Sequence, residues 1–315
     1  MKKTILALST LAIIFSSCAQ NKSTENHKAE VKKEVPAKPE HVQASDKDLQ
    51  NNIAQTMKDD FAVKESQNTT EALAILEETN NVLKYIAEDK NKKAKEELAK
   101  LIGELEILIT RDPNLALIPV GVTYQINDAV VDIPTVYEIT EAAQKAMKDG
   151  YYQVAKKLME GLTSEMVVKT SFLPLATYPD AMRLSAALLE EGKKDEATVI
   201  LLRALNTLVI QETDIPLPVL RAEEFIKLGA VAMAGDEKDK KEVALLYLDN
   251  ADYQLQLAEA MGYGKKDKEY KELFEAIKDL KKQINDNKDS KTKFDNLSNK
   301  IKAFKERLFF NKEKK

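Results

Sequence analysis

Cys18, the single cysteine of this chain, stands at a position that indicates a defined chemistry. Two lysines near the start precede an apolar stretch over residues 5–15, and two serines stand directly before the cysteine. A basic start, an apolar stretch of about 7–15 residues and a small-residue exit are typical of a secretory signal. A cysteine at that exit favours the lipoprotein type, in which the chain is cut before Cys18 and its thiol carries lipid. The alternative is a plain signal peptide with an incidental cysteine.

The apolar stretch falls well short of the ~20 residues that a helix needs to cross a bilayer. We therefore predict a lipoprotein signal peptide over residues 1–17 and a chain held at the membrane through lipid on Cys18. Phe15 departs from the usual pattern, in which leucine more often stands three positions before the cysteine. The predicted location is the bacterial cell envelope, at the outer membrane, facing the periplasm or the cell surface.

The composition of the remaining chain excludes several kinds of catalysis. Both histidines, His27 and His41, lie in the first 50 residues, and from Val42 onward the chain has no His, Cys or Trp. Ser-His-Asp and Cys-His catalysis and the usual zinc sites are thereby excluded. We expect no catalytic residue, no metal and no cofactor. A carboxylate-based hydrolase or a Ser-Lys enzyme would survive this filter, and carboxylates buried together without basic partners would favour one.

Arginine is rare here, with five arginines against 43 lysines, and four of them stand at or near the connections between helix pairs. They are Arg111, Arg183, Arg203 and Arg221. Arginine suits positions where a partly buried cation must be bonded in two places. One interpretation is a site for an anionic ligand. The other, which we favour, is a set of ion pairs with the nearby acidic residues Glu190, Glu191, Glu212, Asp214, Glu223 and Glu224.

Tyrosines gather around the same connections: Tyr124, Tyr137, Tyr151, Tyr152 and Tyr178. They could line a pocket for amphipathic molecules. More often such tyrosines cover a core while the hydroxyl reaches water. The candidate ligand-binding residues predicted from the sequence are Arg183, Arg203, Arg221, Tyr151 and Tyr178.

The elements around these residues are predicted to be helical. Residues 18–48 have few apolar side chains and two prolines, so we predict a disordered tether there. From residue 49 the apolar spacing is that of helices, which pair. The predicted pairs are 73–86 with 94–108, Val136–Lys148 with Tyr151–Gly161, Asp180–Glu191 with Asp195–Leu208, Leu220–Ala234 with Lys241–Met261, and Asp267–Ile284 with Lys293–Phe309. The second helices of the first four pairs align on Ala94, Ala155, Ala197 and Ala244, which favours close packing.

The connections after the first three pairs carry all seven prolines beyond the tether, together with runs rich in Val, Ile and Thr. Such runs favour extended chain. We predict a mainly α fold of antiparallel helical hairpins, with a small β-sheet formed by three short crossing segments. Leu173 and Leu175, on either side of Pro174, are predicted to be buried where the sheet meets the helices.

The last segment, residues 265–315, carries 17 basic and 10 acidic residues, whereas the chain as a whole has a net charge of −4. We predict a lysine-rich helical hairpin there. Its lysines could contact anionic lipid or lipopolysaccharide, or they could form the solvated face of a soluble hairpin. No basic stripe with interleaved aromatic residues is present, so we expect no nucleic-acid partner.

Two stretches carry a resemblance to a known family. One is PVGVTYQINDAVVDIP, residues 119–134; the other is Val167–Glu224, with its SFLPLATYPDAM turn and the EEGKKDEA link between helices. These stretches resemble the YfdX family of bacterial envelope proteins, and residues 49–264 are predicted to be the YfdX-like domain. The resemblance implies a helical fold with short strands, an export signal and an association with envelope and acid stress. It implies no reaction and no active-site residue.

Taken together, these patterns predict a non-enzymatic, lipid-anchored binding module of the envelope with an unknown protein or small-molecule partner. The alternative is a chaperone-like protein or one that binds small amphipathic ligands in the periplasm.

Overall fold

A computed structural model describes residues 36–39, 46–60, 67–129, 131–264 and 268–307. The chain divides into two units, Met1–Val35 and Pro36–Lys315, and every described residue belongs to the second. The predicted signal peptide, Cys18 and most of the predicted tether lie outside the described residues. The last three residues of the predicted tether, 46–48, already belong to the first helix.

The described residues form eleven helices and three strands, which confirms the predicted mainly α fold. The helices are α1 Asp46–Asp60, α2 Gln67–Ala87, α3 Asn91–Arg111, α4 Ile133–Lys148, α5 Tyr152–Glu160, α6 Tyr178–Glu190, α7 Lys194–Asn206, α8 Leu217–Ala234, α9 Lys240–Met261, α10 Lys268–Asn285 and α11 Lys291–Lys305. The strands are β1 Leu117–Asn127, β2 Glu165–Pro174 and β3 Val209–Pro216.

Four of the helical hairpins are closed by the same kind of turn. Each places one residue in the left-handed region two positions after the last residue of the first helix: Asp89, Gly150, Gly192 and Asn287, with φ of 55°, 82°, 76° and 56°. The amide that follows donates to a carbonyl five residues back, as from Tyr151 to Ala146 at 2.8 Å. This arrangement satisfies the last free carbonyls of the helix, and glycine or asparagine adopts it most easily.

The prolines mark where helices begin, and none interrupts a helix among the described residues. Pro134, Pro179 and Pro218 each occupy the first turn of α4, α6 and α8. A proline there loses no hydrogen bond, because the first amides of a helix have no partner within it. The carboxylate of Asp132 also accepts from the amide of Thr135 at 2.9 Å and so caps α4.

The three crossing segments pair into one sheet, as the sequence predicts. Its strands are antiparallel and lie in the order β1-β2-β3. Tyr124 lies opposite Val168, which in turn lies opposite Thr213. The register shifts between Pro119 and Gly121, because proline has no amide to donate to the ladder. One helical hairpin therefore joins each pair of neighbouring strands.

One end of this sheet packs into what we call the N-terminal core, formed by α2, α3, α6 and α7. Leu98, Leu101 and Leu105 of α3 are fully buried there. Leu173 and Leu175 are 0% and 4% exposed, which confirms the prediction that both are buried where the sheet meets the helices.

The other end of the sheet packs into the C-terminal core, formed by α1, α8, α9, α10 and α11. The terminal hairpin is part of this core: the rings of Tyr270 and Phe304 meet edge to face with centroids 4.8 Å apart. The regularly spaced apolar residues of α10 and α11 are buried, from Tyr270 to Ile284 and from Phe294 to Phe304, except for the half-buried Phe274. The hairpin therefore shares its apolar face with α8 and α9.

Candidate functional site

The five residues predicted to bind a ligand are not brought together. Tyr178 follows the end of β2 and lies in the N-terminal core, whereas Arg221 contacts Asp128 near the start of β2. These two places are at opposite ends of a ten-residue strand, roughly 30 Å apart at ~3.3 Å per residue. Tyr151 lies elsewhere again, at the turn between α4 and α5.

Tyr178 is 1% exposed, and its hydroxyl lies 2.9 Å from the hydroxyl of Thr79. Thr79 in turn donates to the carbonyl of Ile75 at 2.8 Å, so it accepts from Tyr178. Burial raises the pKa of Tyr178 to about 12. This tyrosine closes the junction between α2 and α6, and its hydroxyl faces another hydroxyl rather than a ligand.

Arg183 and Arg111 form ion pairs at the surface of the N-terminal core. Arg183 contacts Glu106 of α3 at 3.0 Å and Asp180 of its own helix at 2.9 Å. Arg111 contacts Glu71 of α2 at 2.7 Å. These pairs tie neighbouring helices together, but about half of the Arg183 side chain remains exposed. Arg203 is exposed and forms no ion pair with any residue that the structure describes.

The prediction of which carboxylates pair with the arginines was wrong. Five of the six expected carboxylates pair with lysines instead: Glu190 with Lys95, Glu191 with Lys193, Glu212 with Lys169, Glu223 with Lys305 and Lys227, and Glu224 with Lys227. Arg111 and Arg183 contact Glu71 and Glu106 on neighbouring helices, and Arg221 contacts Asp128 in the segment after β1. Nearness in the sequence could not reveal them.

Arg221 lies in a part-buried polar junction that joins β1, β2, α8 and the end of α9. Its guanidinium pairs with Asp128, which also accepts from the hydroxyl of Ser164 at 2.9 Å. The amide of Ser164 donates to the hydroxyl of Tyr263 at 3.1 Å, and burial raises the pKa of that tyrosine. Each of these polar groups has a protein partner, so the junction fixes the sheet on α8.

A second charged cluster was not predicted as a site. Glu223 and Glu224 of α8 are both 7% exposed, and Lys305 of α11 is 1% exposed. The ammonium of Lys305 lies 2.8 Å from the Glu223 carboxylate. Lys227 approaches Glu223 and Glu224 at 3.4 and 3.9 Å. The available signal was an acidic pair inside the largely apolar α8, and a lysine directly after Phe304 in α11.

A shallow depression of about 160 Å³, open to solvent, lies beside this cluster between α1 and α8. Its apolar lining comes from Ile53, Met57 and Leu220. Because lysines neutralise both carboxylates, neither is placed as a free acid or base. Removing one partner of a buried ion pair leaves an unpaired buried charge, which lowers the stability of the fold. The cluster therefore holds α11 against α8.

Among the described residues, two carboxyl groups have a raised pKa. Burial raises the pKa of Asp252 in α9, whose carboxylate accepts from Gln256 at 2.7 Å. Burial and the neighbouring Glu78 raise the pKa of Glu104. Lys100 lies 2.5 Å from Glu78, so this carboxylate pair also has a basic partner.

The described residues hold no group of three or more His, Cys, Asp or Glu side chains that could bind a metal ion. Among the described helices, none combines the length and the apolar character required to cross a membrane.

Comparisons with known proteins bear on the family. The search of the curated proteins gives no match. A solved structure of YfdX from Salmonella Typhi is 15% identical, covers 47% of this chain and 92% of that chain, and has a TM-score of 0.33. The family model of the YfdX protein matches residues 75–214. The matched part of this chain begins within α2 and ends within β3, and it is similar to the YfdX family.

Proposed function

We propose that this protein is a non-enzymatic binding module, held at the bacterial outer membrane by lipid on Cys18 and facing the periplasm or the cell surface. The observation that carries the proposal is the position of Cys18, directly after a basic start, an apolar stretch and two serines. The family association with envelope and acid stress fits this location.

The charged groups of the described domain support a role without catalysis. The buried Glu223 pairs with Lys305, and the part-buried Asp128 pairs with Arg221. A hydrolase that works with two carboxylates needs at least one of them free to donate or accept a proton. The described pairs are those of a structural network.

The closed packing around Tyr178 supports a fixed partner rather than a small ligand. Ligand pockets usually enclose about 300–1,000 Å³, whereas the space between α1 and α8 is an open depression of about 160 Å³ with no room for an enclosed ligand. We therefore place the chaperone-like or ligand-binding alternative second. Crosslinking in intact cells, followed by identification of the attached molecule, separates the two: a recurring protein supports the first and a range of unfolded clients supports the second.

Lipid labelling tests the anchor. Cells that express the wild-type chain should incorporate labelled palmitate into it, and the Cys18→Ala variant should incorporate none. The matched control is Lys193→Ala, at an exposed position in the turn before α7, which should label like the wild type. Label that persists in Cys18→Ala would contradict the proposed anchor.

A further inference from the structure

The α4–α5 hairpin is sparsely covered by the rest of the described domain. Its base is held by a small cluster in which Ile133 and Val136 of α4 pack against Tyr253 and Leu257 of α9. Further along the hairpin burial is sparse, and within α5 only Ala155 is buried. The end of the hairpin that carries the turn is therefore available to a partner.

We call residues 145–157 the hairpin tip. Its large apolar side chains face solvent: Met147, Tyr151, Tyr152 and Val154 are 56%, 64%, 67% and 53% exposed. The left-handed turn at Gly150 holds the two ends of the tip together. Apolar groups gathered on an exposed turn mark an interaction surface more strongly than single exposed residues do.

The hairpin tip carries a net positive charge, which favours a negatively charged partner. Four exposed lysines, Lys145, Lys148, Lys156 and Lys157, accompany the single acidic residue Asp149, although the whole chain has a net charge of −4. Lys156 lies 3.5 Å from Glu160. The other three lysines form no ion pair with any residue that the structure describes. The tip is thus a cationic patch on an acidic protein.

We propose that the hairpin tip docks on an anionic lipid surface. Tyrosine is enriched where a bilayer meets water, and lysines beside exposed apolar residues attract anionic headgroups while the apolar groups enter the acyl boundary. This contact does not depend on Cys18 and adds a second attachment that would orient the domain.

Vesicle binding tests the proposal without the lipid anchor. The probe is the chain from residue 18 to 315, made without the leader and with Cys18→Ser, so that no lipid is attached. It should sediment with vesicles that contain phosphatidylglycerol, and not with vesicles of phosphatidylcholine alone. Added salt should release it, because exposed charges are screened.

The decisive variants alter the tip. Lys148→Glu with Lys157→Glu should weaken binding by at least about 25-fold, at roughly fivefold for each lysine near the surface. Tyr151→Ser with Tyr152→Ser should weaken it without altering the salt dependence. The matched controls are Val231→Ser and Lys193→Glu, at an exposed apolar and an exposed basic position outside the hairpin. Both should bind like the parent chain.

Several results would overturn the proposal: no binding to anionic vesicles, equal binding to both vesicle types, or unchanged binding by the tip variants. Unchanged binding by the tip variants would identify the lysine-rich terminal segment as the part that binds the vesicles. Self-association that the tip variants abolish, without vesicle binding, would identify a second copy as the occupant. Because no lipid is attached, a failure of palmitate labelling leaves this test intact, and the two proposals can fail separately.

Discussion

The hairpins α4–α5 and α6–α7 are built alike and buried differently. Both link neighbouring strands of the sheet, both turn at a left-handed glycine, and both align on a buried alanine, Ala155 or Ala197. Four residues further on, Met159 of α5 is 43% exposed and Leu201 of α7 is fully buried.

The neighbours explain this difference. In the N-terminal core α6 packs on α3 and α7 packs on α2, so both helices of that hairpin are covered. The base of α4–α5 packs on α9, and no comparable pair of described helices covers its length. An apolar helical stripe thus shows that a surface can be buried, and the rest of the fold decides whether it is.

The largest expected effect separates the aligned positions Leu201 and Met159. Leu201→Ala removes a fully buried side chain and should lower the free energy of unfolding by about 2–5 kcal/mol. Met159→Ala should lower it by less than about 1 kcal/mol, because much of that side chain is already in water. Urea denaturation of both variants measures the difference. Equal losses would mean that α5 is covered as well as α7.

The turns should respond equally. Gly150→Ala and Gly192→Ala each force a side chain into the left-handed region, which costs roughly 1–2 kcal/mol. In both cases the added methyl group meets no atom within 4 Å. The two denaturation midpoints should therefore fall together, since the conformation and not the packing carries the cost. If only Gly192→Ala lowered the denaturation midpoint, the cost of the substitution would depend on the burial of the hairpin as well as on the backbone conformation.

The smallest expected effect at neutral pH is that of Tyr178→Phe. It removes the hydrogen bond to Thr79 and should cost about 0.5–1.5 kcal/mol, whereas Tyr151→Phe, at an exposed site, should cost nothing measurable.

The pH dependence sharpens this comparison. The pKa of Tyr178 is raised to about 12 in the folded state and is about 10 in the unfolded chain. Above pH 10 the unfolded chain releases the proton that the folded protein retains, so stability falls between pH 10 and 12. Phenylalanine has no such proton. The advantage of wild type over Tyr178→Phe should therefore shrink across this range, and a constant difference between their unfolding midpoints would contradict it.

Local rules made most of the fold predictable from the sequence. Proline positions, turn residues such as Gly150 and Gly192, and apolar spacing locate most of the helices and the three crossing segments to within a few residues. The start of α2 is the exception, since the helix begins at Gln67 and the prediction began at residue 73. The grouping of Tyr151 with Tyr178 was not reliable, because one lies on an open hairpin and the other in a core. Residue type alone cannot distinguish these environments.

The charged clusters were less predictable. Arg183 contacts Glu106 and Lys305 contacts Glu223, across 77 and 82 residues of chain. Such pairs depend on which helices become neighbours, and the spacing of charges along the sequence carries little information about that.

The central strand has a consequence for how the domain opens. Met166 and Val168 of β2 belong to the C-terminal core, and Leu173 of the same strand belongs to the N-terminal core. Neither core can release β2 without breaking the hydrogen bonds that position it in the other. We therefore expect the two cores to melt as one cooperative unit, with the β2 amides exchanging only on global unfolding. Faster exchange at Met166 than at Leu173 would reveal two separable units.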